Sequence, residues 1–235
     1  MPRFVRRIGS FVMILAMKKI LFSFSLLSFA LPVLAYNPLV IDPPQPYEII
    51  PIEGDPYVEH QFLGTLTDYP EMFELKTDVS MTLKATVRQK SSGKSVPFGL
   101  IVVRQNDTDG GVTEVVRQNQ PLTEWEKITD SALGMTFLKT KTLEKDIVPS
   151  TYRIEVSTPD NKGDYMLTIG DEPVRVGYFT TVGQVYTIQN NFGYTPFHML
   201  FSSYVYYPLG ILGVLYGIYR TWRYRKELLH ARFTT

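Results

Sequence analysis

Polar and apolar residues alternate along the middle of this chain. Val79, Met81, Leu83, Ala85 and Val87 are separated by Ser80, Thr82, Lys84 and Thr86. Successive side chains of a strand point to opposite faces, so this period of two predicts a strand with one buried and one wet face. Tyr152, Ile154 and Val156 repeat the pattern against Arg153, Glu155 and Ser157, as do Tyr165, Leu167 and Ile169. Pro159-Asp160-Asn161-Lys162-Gly163 lies between the last two runs, and its turn chemistry predicts a hairpin. Residues 98–103 are apolar on both faces, as in a central strand. They lead into Asn106-Asp107-Thr108-Asp109-Gly110-Gly111, and residues 112–116 return as the partner strand. No apolar stripe repeats at helical spacing, and only residues 122–132 leave room for a short helix. Many short strands divided by turns predict a mainly β fold, an antiparallel β-sandwich or jelly roll.

The C-terminal end changes character. Residues 199–219 carry no charge, and Arg220, Arg223, Arg225 and Lys226 follow. As a helix rising about 1.5 Å per residue, that run spans roughly 30 Å, the thickness of a bilayer core. The pattern predicts one C-terminal transmembrane helix, with the basic cluster holding the short tail 220–235 in the cytoplasm. Tyr204, Tyr206 and Tyr207 would belt its outer end, and Trp222 and Tyr224 its inner end. Pro208 marks a kink or the true start of the span. Gly210, Gly213 and Gly217 offer a small-residue face for packing against a second helix, although glycine is common in spans in any case.

The N-terminal end reads as a secretory signal peptide, residues 1–35. Lys18 and Lys19 form its basic region, residues 20–29 its apolar core, and Val33-Leu34-Ala35 a small-residue cleavage site. Met17 is an alternative start. Cleavage after Ala35 leaves a chain crossing the membrane once with its N-terminus outside; an uncleaved leader leaves both termini in the cytoplasm. Either way the middle lies outside the cytoplasm. Residues 36–56 are rich in proline and predict an extended lead-in, a spacer or an edge strand.

Charge sharpens this picture. Ten of the 24 basic residues lie in the leader and tail with one of the 23 acids, leaving 14 bases against 22 acids and a net −8 in between. An acidic domain argues against nucleic acid as a partner. The chain has no cysteine, which excludes disulfides, thiolate metal sites and a cysteine nucleophile. An exported domain without disulfides points to a bacterial periplasm or cell surface.

Residues 176–195 are uncharged and aromatic, with many Thr, Gln and Asn. They read as one more hairpin around Gly183; the alternative is a segment suited to the headgroup interface or to a partner's membrane-proximal surface.

Candidate chemistry is sparse. Asp107 and Asp109 have the opening spacing of a calcium loop, but Glu114 comes too early to close it, and Asp-Gly between strands equally makes a turn. Asn106-Asp107-Thr108 is a glycosylation sequon. His60 is the only histidine in the strand-rich part, and neither G-x-S-x-G nor H-E-x-x-H is present. Trp125 between Glu124 and Glu126 is a candidate carbohydrate platform or a packed core residue. A hydrolase built from paired carboxylates stays formally open. No cofactor is implied.

Tyr69-Pro70-Glu71-Met72-Phe73-Glu74-Leu75 opens the strand-rich part, within the run 64–75. Ser150-Thr151-Tyr152-Arg153-Ile154-Glu155-Val156 and Gly163-Asp164-Tyr165-Met166-Leu167-Thr168-Ile169 close it. Residues 57–170 thereby resemble the bacterial pre-peptidase C-terminal β-sandwich domains, with Ser150 where that family usually has glycine. The resemblance implies an accessory or binding module and brings no active residue with it.

These readings converge on a non-catalytic, membrane-tethered extracytoplasmic β-sandwich, residues 57–197. The expected role is binding or assembly with an envelope protein, or self-association through the span. The alternative is a cell-surface ligand or carbohydrate sensor.

Overall fold

The computed structural model describes residues 33–35, 38–42, 45–46, 48–106 and 110–232. Two β-sheets pack face to face. The seven-stranded sheet has the order β2 (Pro38–Val40), β4 (His60–Thr67), β13 (Lys162–Ile169), β6 (Met81–Lys90), β10 (Met135–Lys139) and β9 (Glu126–Asp130), with β11 (Leu143–Ile147) also paired to β6. The five-stranded sheet has the order β3 (Ile49–Pro51), β5 (Glu71–Thr77), β12 (Ser150–Ser157), β7 (Gly99–Gln105) and β8 (Val112–Asn119). A separate ribbon pairs β1 (Val33–Ala35) with β14 (Val174–Val176).

Alternation places the core. Met81, Leu83, Ala85 and Val87 of β6 face Phe73 and Leu75 of β5 and Tyr152, Ile154 and Val156 of β12 across the sheets. The mainly β, sandwich-like architecture is therefore as expected. Val79, read as the first residue of the β6 run, lies outside the strand and is exposed.

Three expectations are corrected. First, β12 and β13 do not pair with each other. β12 pairs with β5 and β7, while β13 pairs with β4 and β6 in the opposite sheet. Residues 158–161 cross between layers. Alternation tells which side of a strand is buried, and both strands bury that side in the same inter-sheet core, so the pattern cannot choose the partner. The β7–β8 hairpin does form, with a register shift at Val102/Val103. Second, residues 122–132 hold one 3-10 turn, Leu122–Glu124, and then β9. Third, the expected hairpin around Gly183 is a helix, α1 (Tyr178–Asn191). Its Val185 and Ile188, with Phe192 just beyond, lie three and four residues apart and cover Leu63, Met135, Phe137 and Met166 on the outer face of the seven-stranded sheet. That sheet is thus buried on both sides, which makes a three-layer unit.

The described residues of the proline-rich lead-in include two short strands. β2 and β3 extend β4 and β5 as short parallel edge strands, where a proline's missing N–H costs least. Residues 1–32, the body of the expected signal peptide, lie outside the described residues.

Candidate functional site

The most distinctive surface is built where the chain leaves the sandwich. After α1, residues Pro196–Phe201 form a 3-10 segment, and a long helix, α2 (Ser203–Arg232), follows. The expected transmembrane helix over 199–219 is not supported, and the uncharged run does not start where the charge pattern placed it. Met199 packs against the cluster under α1, so residues 199–201 belong to the sandwich, and the uncharged helical run begins only at Ser203. No helix among the described residues is long and apolar enough to cross a membrane.

Polar bonds fasten the 3-10 segment to the turn between β9 and β10. His198 Nε2 lies 2.9 Å from the Gly134 carbonyl oxygen. The buried Ser202 hydroxyl donates to the Ala132 carbonyl at 2.5 Å, and the Ser203 N–H donates to the Ser131 carbonyl at 2.9 Å. Gly134 is required here. Its φ is +65°, and a Cβ would sit 2.6 Å from the Phe201 carbonyl carbon. Lys90 braces the same corner, donating to the Phe192 carbonyl at 3.1 Å and lying 4.0 Å over the Tyr194 ring, on which His198 stacks.

Pro208 sits inside α2 without ending it. A proline has no N–H for the carbonyl four residues back, here Tyr204. The Tyr178 hydroxyl of α1 donates to that carbonyl instead. One helix thereby completes the hydrogen bonding of the other.

Beyond this joint α2 stands clear of the sandwich. Leu209, Ile211, Leu212, Val214, Tyr216 and Ile218 are exposed, and they point in all directions around the axis. A Cβ added to Gly210, Gly213 or Gly217 would meet nothing within 4 Å, so the small-residue face packs against no part of this chain. Past Tyr219, the Arg220 guanidinium donates to the Tyr224 hydroxyl at 3.3 Å, and Arg225 is exposed. Lys226 continues the helix.

The other expected site residues do not converge. Trp125 is only 7% exposed, packs near Phe98 and donates its indole N–H to the Gln120 carbonyl at 3.0 Å, so it is no sugar platform. Asp107 and Asp109 lie outside the described residues. Among the described residues no three His, Cys, Asp or Glu side chains gather to hold a metal. His60 Nε2 lies 2.9 Å from the Asp55 backbone carbonyl oxygen.

One perturbed acid escaped the sequence reading. Glu71 begins β5 on the same face as Phe73 and Leu75, 1% exposed between the sheets. Tyr165 donates its hydroxyl to Glu71 Oε2, while Oε1 has no partner among the described residues. Gly64 makes the room: a Cβ there would lie 2.6 Å from Glu71 Oε2 and 2.7 Å from the Tyr165 ring. Burial raises the carboxyl to about 7, the Tyr165 bond opposes the rise, and nearby Glu48 adds to it. Burial, with Glu71 alongside, also pushes the Tyr165 hydroxyl well up. The signal was present, because Phe73 and Leu75 facing inward forces Glu71 inward too. An enclosed acid facing a core is a structural couple with a titration near neutrality.

A groove of about 460 Å³ opens on the five-stranded sheet, lined by Phe98, Gly99, Ile101, Arg117, Asn119 and Ser157 among others. Arg117 is held there by Glu114 at 2.7 Å.

No known family model matches the chain, and no curated protein matches it. Among solved structures it resembles the pre-peptidase C-terminal domain of a collagenase from Bacillus anthracis. The two are 13% identical with a TM-score of 0.34, over 54% of this chain and 97% of that one.

Proposed function

We propose that this chain is a non-catalytic, membrane-tethered module of a bacterial envelope, holding its sandwich outside the cytoplasm for binding or assembly with another envelope protein. The observation that carries the reading is α2. Its uncharged run, Ser203 to Tyr219, exposes aliphatic and tyrosine side chains around its axis, packs beyond its foot against no other element among the described residues, and is ended by an arginine cluster. A helix apolar all round needs a surrounding apolar phase, and flanking cations set its direction. The run rises roughly 25 Å against a bilayer core of roughly 30 Å, and its many tyrosines keep its hydropathy modest. Export through a leader cleaved after Ala35 belongs to the same proposal.

The non-catalytic part rests on the placement of the acids. Among the described residues, Glu71 is the carboxyl raised close to neutrality and is sealed between the sheets, and His60 forms no ion pair with an acid. The glycine face of α2 is the natural place for a second helix, from a partner or another copy.

The test is crosslinking in native membranes, followed by purification through a C-terminal tag. Expected are a membrane-pellet protein that resists alkaline carbonate and a recurring stoichiometric partner lost in the Gly213→Ile, Gly217→Ile variant. Release by carbonate overturns the tether, and recovery of the chain alone overturns the assembly role. A second reading, ligand sensing, is favoured only by the groove beside Arg117 and Asn119. It predicts glycan or small-ligand binding by the detergent-solubilised chain that Arg117→Ala removes.

A further inference from the structure

Large apolar side chains are exposed near the foot of α2. Phe197 is 82% exposed, Phe179 73% and Phe201 65%, and Leu200, next to Phe201, is exposed as well. They belong to one place in the fold. Phe179 meets Tyr178 edge to face, Tyr178 bonds the Tyr204 carbonyl at the start of α2, and Phe201 lies against His198 in the fastened 3-10 segment. No Asp, Glu, Lys or Arg interrupts the chain from Val176 to Tyr219.

We infer that this collar is a membrane-seating surface: Phe179, Phe197, Leu200 and Phe201 enter the headgroup and upper acyl region of the bilayer, so that the sandwich sits on the lipid at a fixed angle. The inference rests on the membrane-tether reading above and deepens it. Three observations select lipid as the occupant. The first is length. An uncharged helical run of roughly 25 Å falls short of a core roughly 30 Å thick, and a short span draws its flanking elements to the interface. The flanking element here is the collar. The second is charge. The part of the chain between leader and tail carries a net −8 and would be repelled by anionic headgroups, whereas residues 176–219 carry no charge, Lys90 adds a cation at the same corner, and α2 ends in arginines. The third is the joint. Ser202, Ser203 and His198 are bonded to the 131–134 turn, so no slack separates the sandwich from the helix. If α2 enters lipid, residues 197–201 arrive at its surface with it.

The chain has no cysteine, which makes single-site labelling direct. Full-length Phe179→Cys, Phe197→Cys and Phe201→Cys carry a polarity-sensitive fluorophore in phosphatidylcholine–phosphatidylglycerol vesicles. Leu212→Cys reports the helix and Val112→Cys, on the exposed edge of β8, reports the aqueous side. Expected are a blue shift and a several-fold rise in emission at all three collar sites, quenched by spin labels placed near the headgroups. Leu212 responds to deeper labels, and Val112 stays in water. Collar sites in water with Leu212 in lipid overturn the collar and leave the tether standing. Leu212 in water overturns the tether and the collar with it. Unchanged thermal unfolding of each labelled variant in detergent establishes that the fold is intact; should Phe201→Cys melt early, Phe197→Cys decides alone.

Discussion

The two sides of the seven-stranded sheet are buried by different means. Toward the five-stranded sheet, aliphatic and aromatic side chains from alternating strand positions close most of the core, with Glu71 bonded to Tyr165 and Gln89 bonded to the Val96 backbone among its buried polar groups. Toward α1 the seal is mixed. Val185, Ile188 and Phe192 supply apolar contact, while buried Thr181, Gln189 and Ser202 bond backbone carbonyls of their own helix or of the 132–133 turn. The first side obtains its stability from area and packing density. The second obtains position, because directional bonds fix where α1 and the start of α2 lie. The contrast suggests a rigid body on one side and an oriented mount on the other.

The comparison can be broken most severely in the inter-sheet core. Phe73→Ala is expected to destabilise by about 3–5 kcal/mol and to lower the melting temperature of the whole unit. A melt unchanged within error would show that the sheets do not share this core. On the helix side, Ile188→Ala is expected to remove about 2–5 kcal/mol of local stability. Hydrogen exchange is the discriminating readout: protection should fall over 178–202 and hold in β5, β6 and β12. Equal loss in all of them would mean that the two sides unfold as one.

Glu71 offers a test without removing bulk. Its folded value, about 7, lies above the ordinary 4.5, so folding favours the protonated form. Stability from this group is full below about 4.5 and declines as pH rises through about 7, by at most about 3 kcal/mol. Glu71→Gln should flatten the melting temperature between pH 5 and 8. A slope as steep as the parent's assigns the effect to other groups.

Smaller effects address the mount. Gly134→Ala forces a β-carbon into the left-handed region, about 1–2 kcal/mol before the clash with Phe201 is counted. It should loosen residues 196–202 in exchange experiments and spare the sandwich melt. Tyr178→Phe removes the donor that replaces the missing Pro208 N–H, at about 1 kcal/mol. It should raise exchange around residue 204 alone; no change there would assign the carbonyl another partner.

Legibility followed the same division. Met81, Leu83, Ala85 and Val87, or Tyr152, Ile154 and Val156, announce a buried face because a strand's period is two and their partners are polar. Helix α1 departs from the expected hairpin because its buried positions include Thr181 and Gln189, which no apolar count registers. Trp125 next to two glutamates suggested a sugar platform, but its indole turned inward onto Phe98. Glu71 lay in an inward register in plain sight, and only the space at Gly64 and the Tyr165 hydroxyl explain how an acid is tolerated there.

By itself, then, the amino-acid order determined that this protein is mainly β, that its strands bury alternate faces, that an uncharged stretch precedes an arginine cluster, and that cysteine chemistry is absent. These follow from local period and residue type. Tertiary structure decided which sheet each strand joins, that residues 178–191 wind into a helix over the outer face, that α2 starts at Ser203, and that Tyr178 bonds the carbonyl Pro208 leaves open. Each of those depends on contacts between residues far apart in the chain, where the energy lies in shape and in pairing directional groups, and a periodic pattern holds neither.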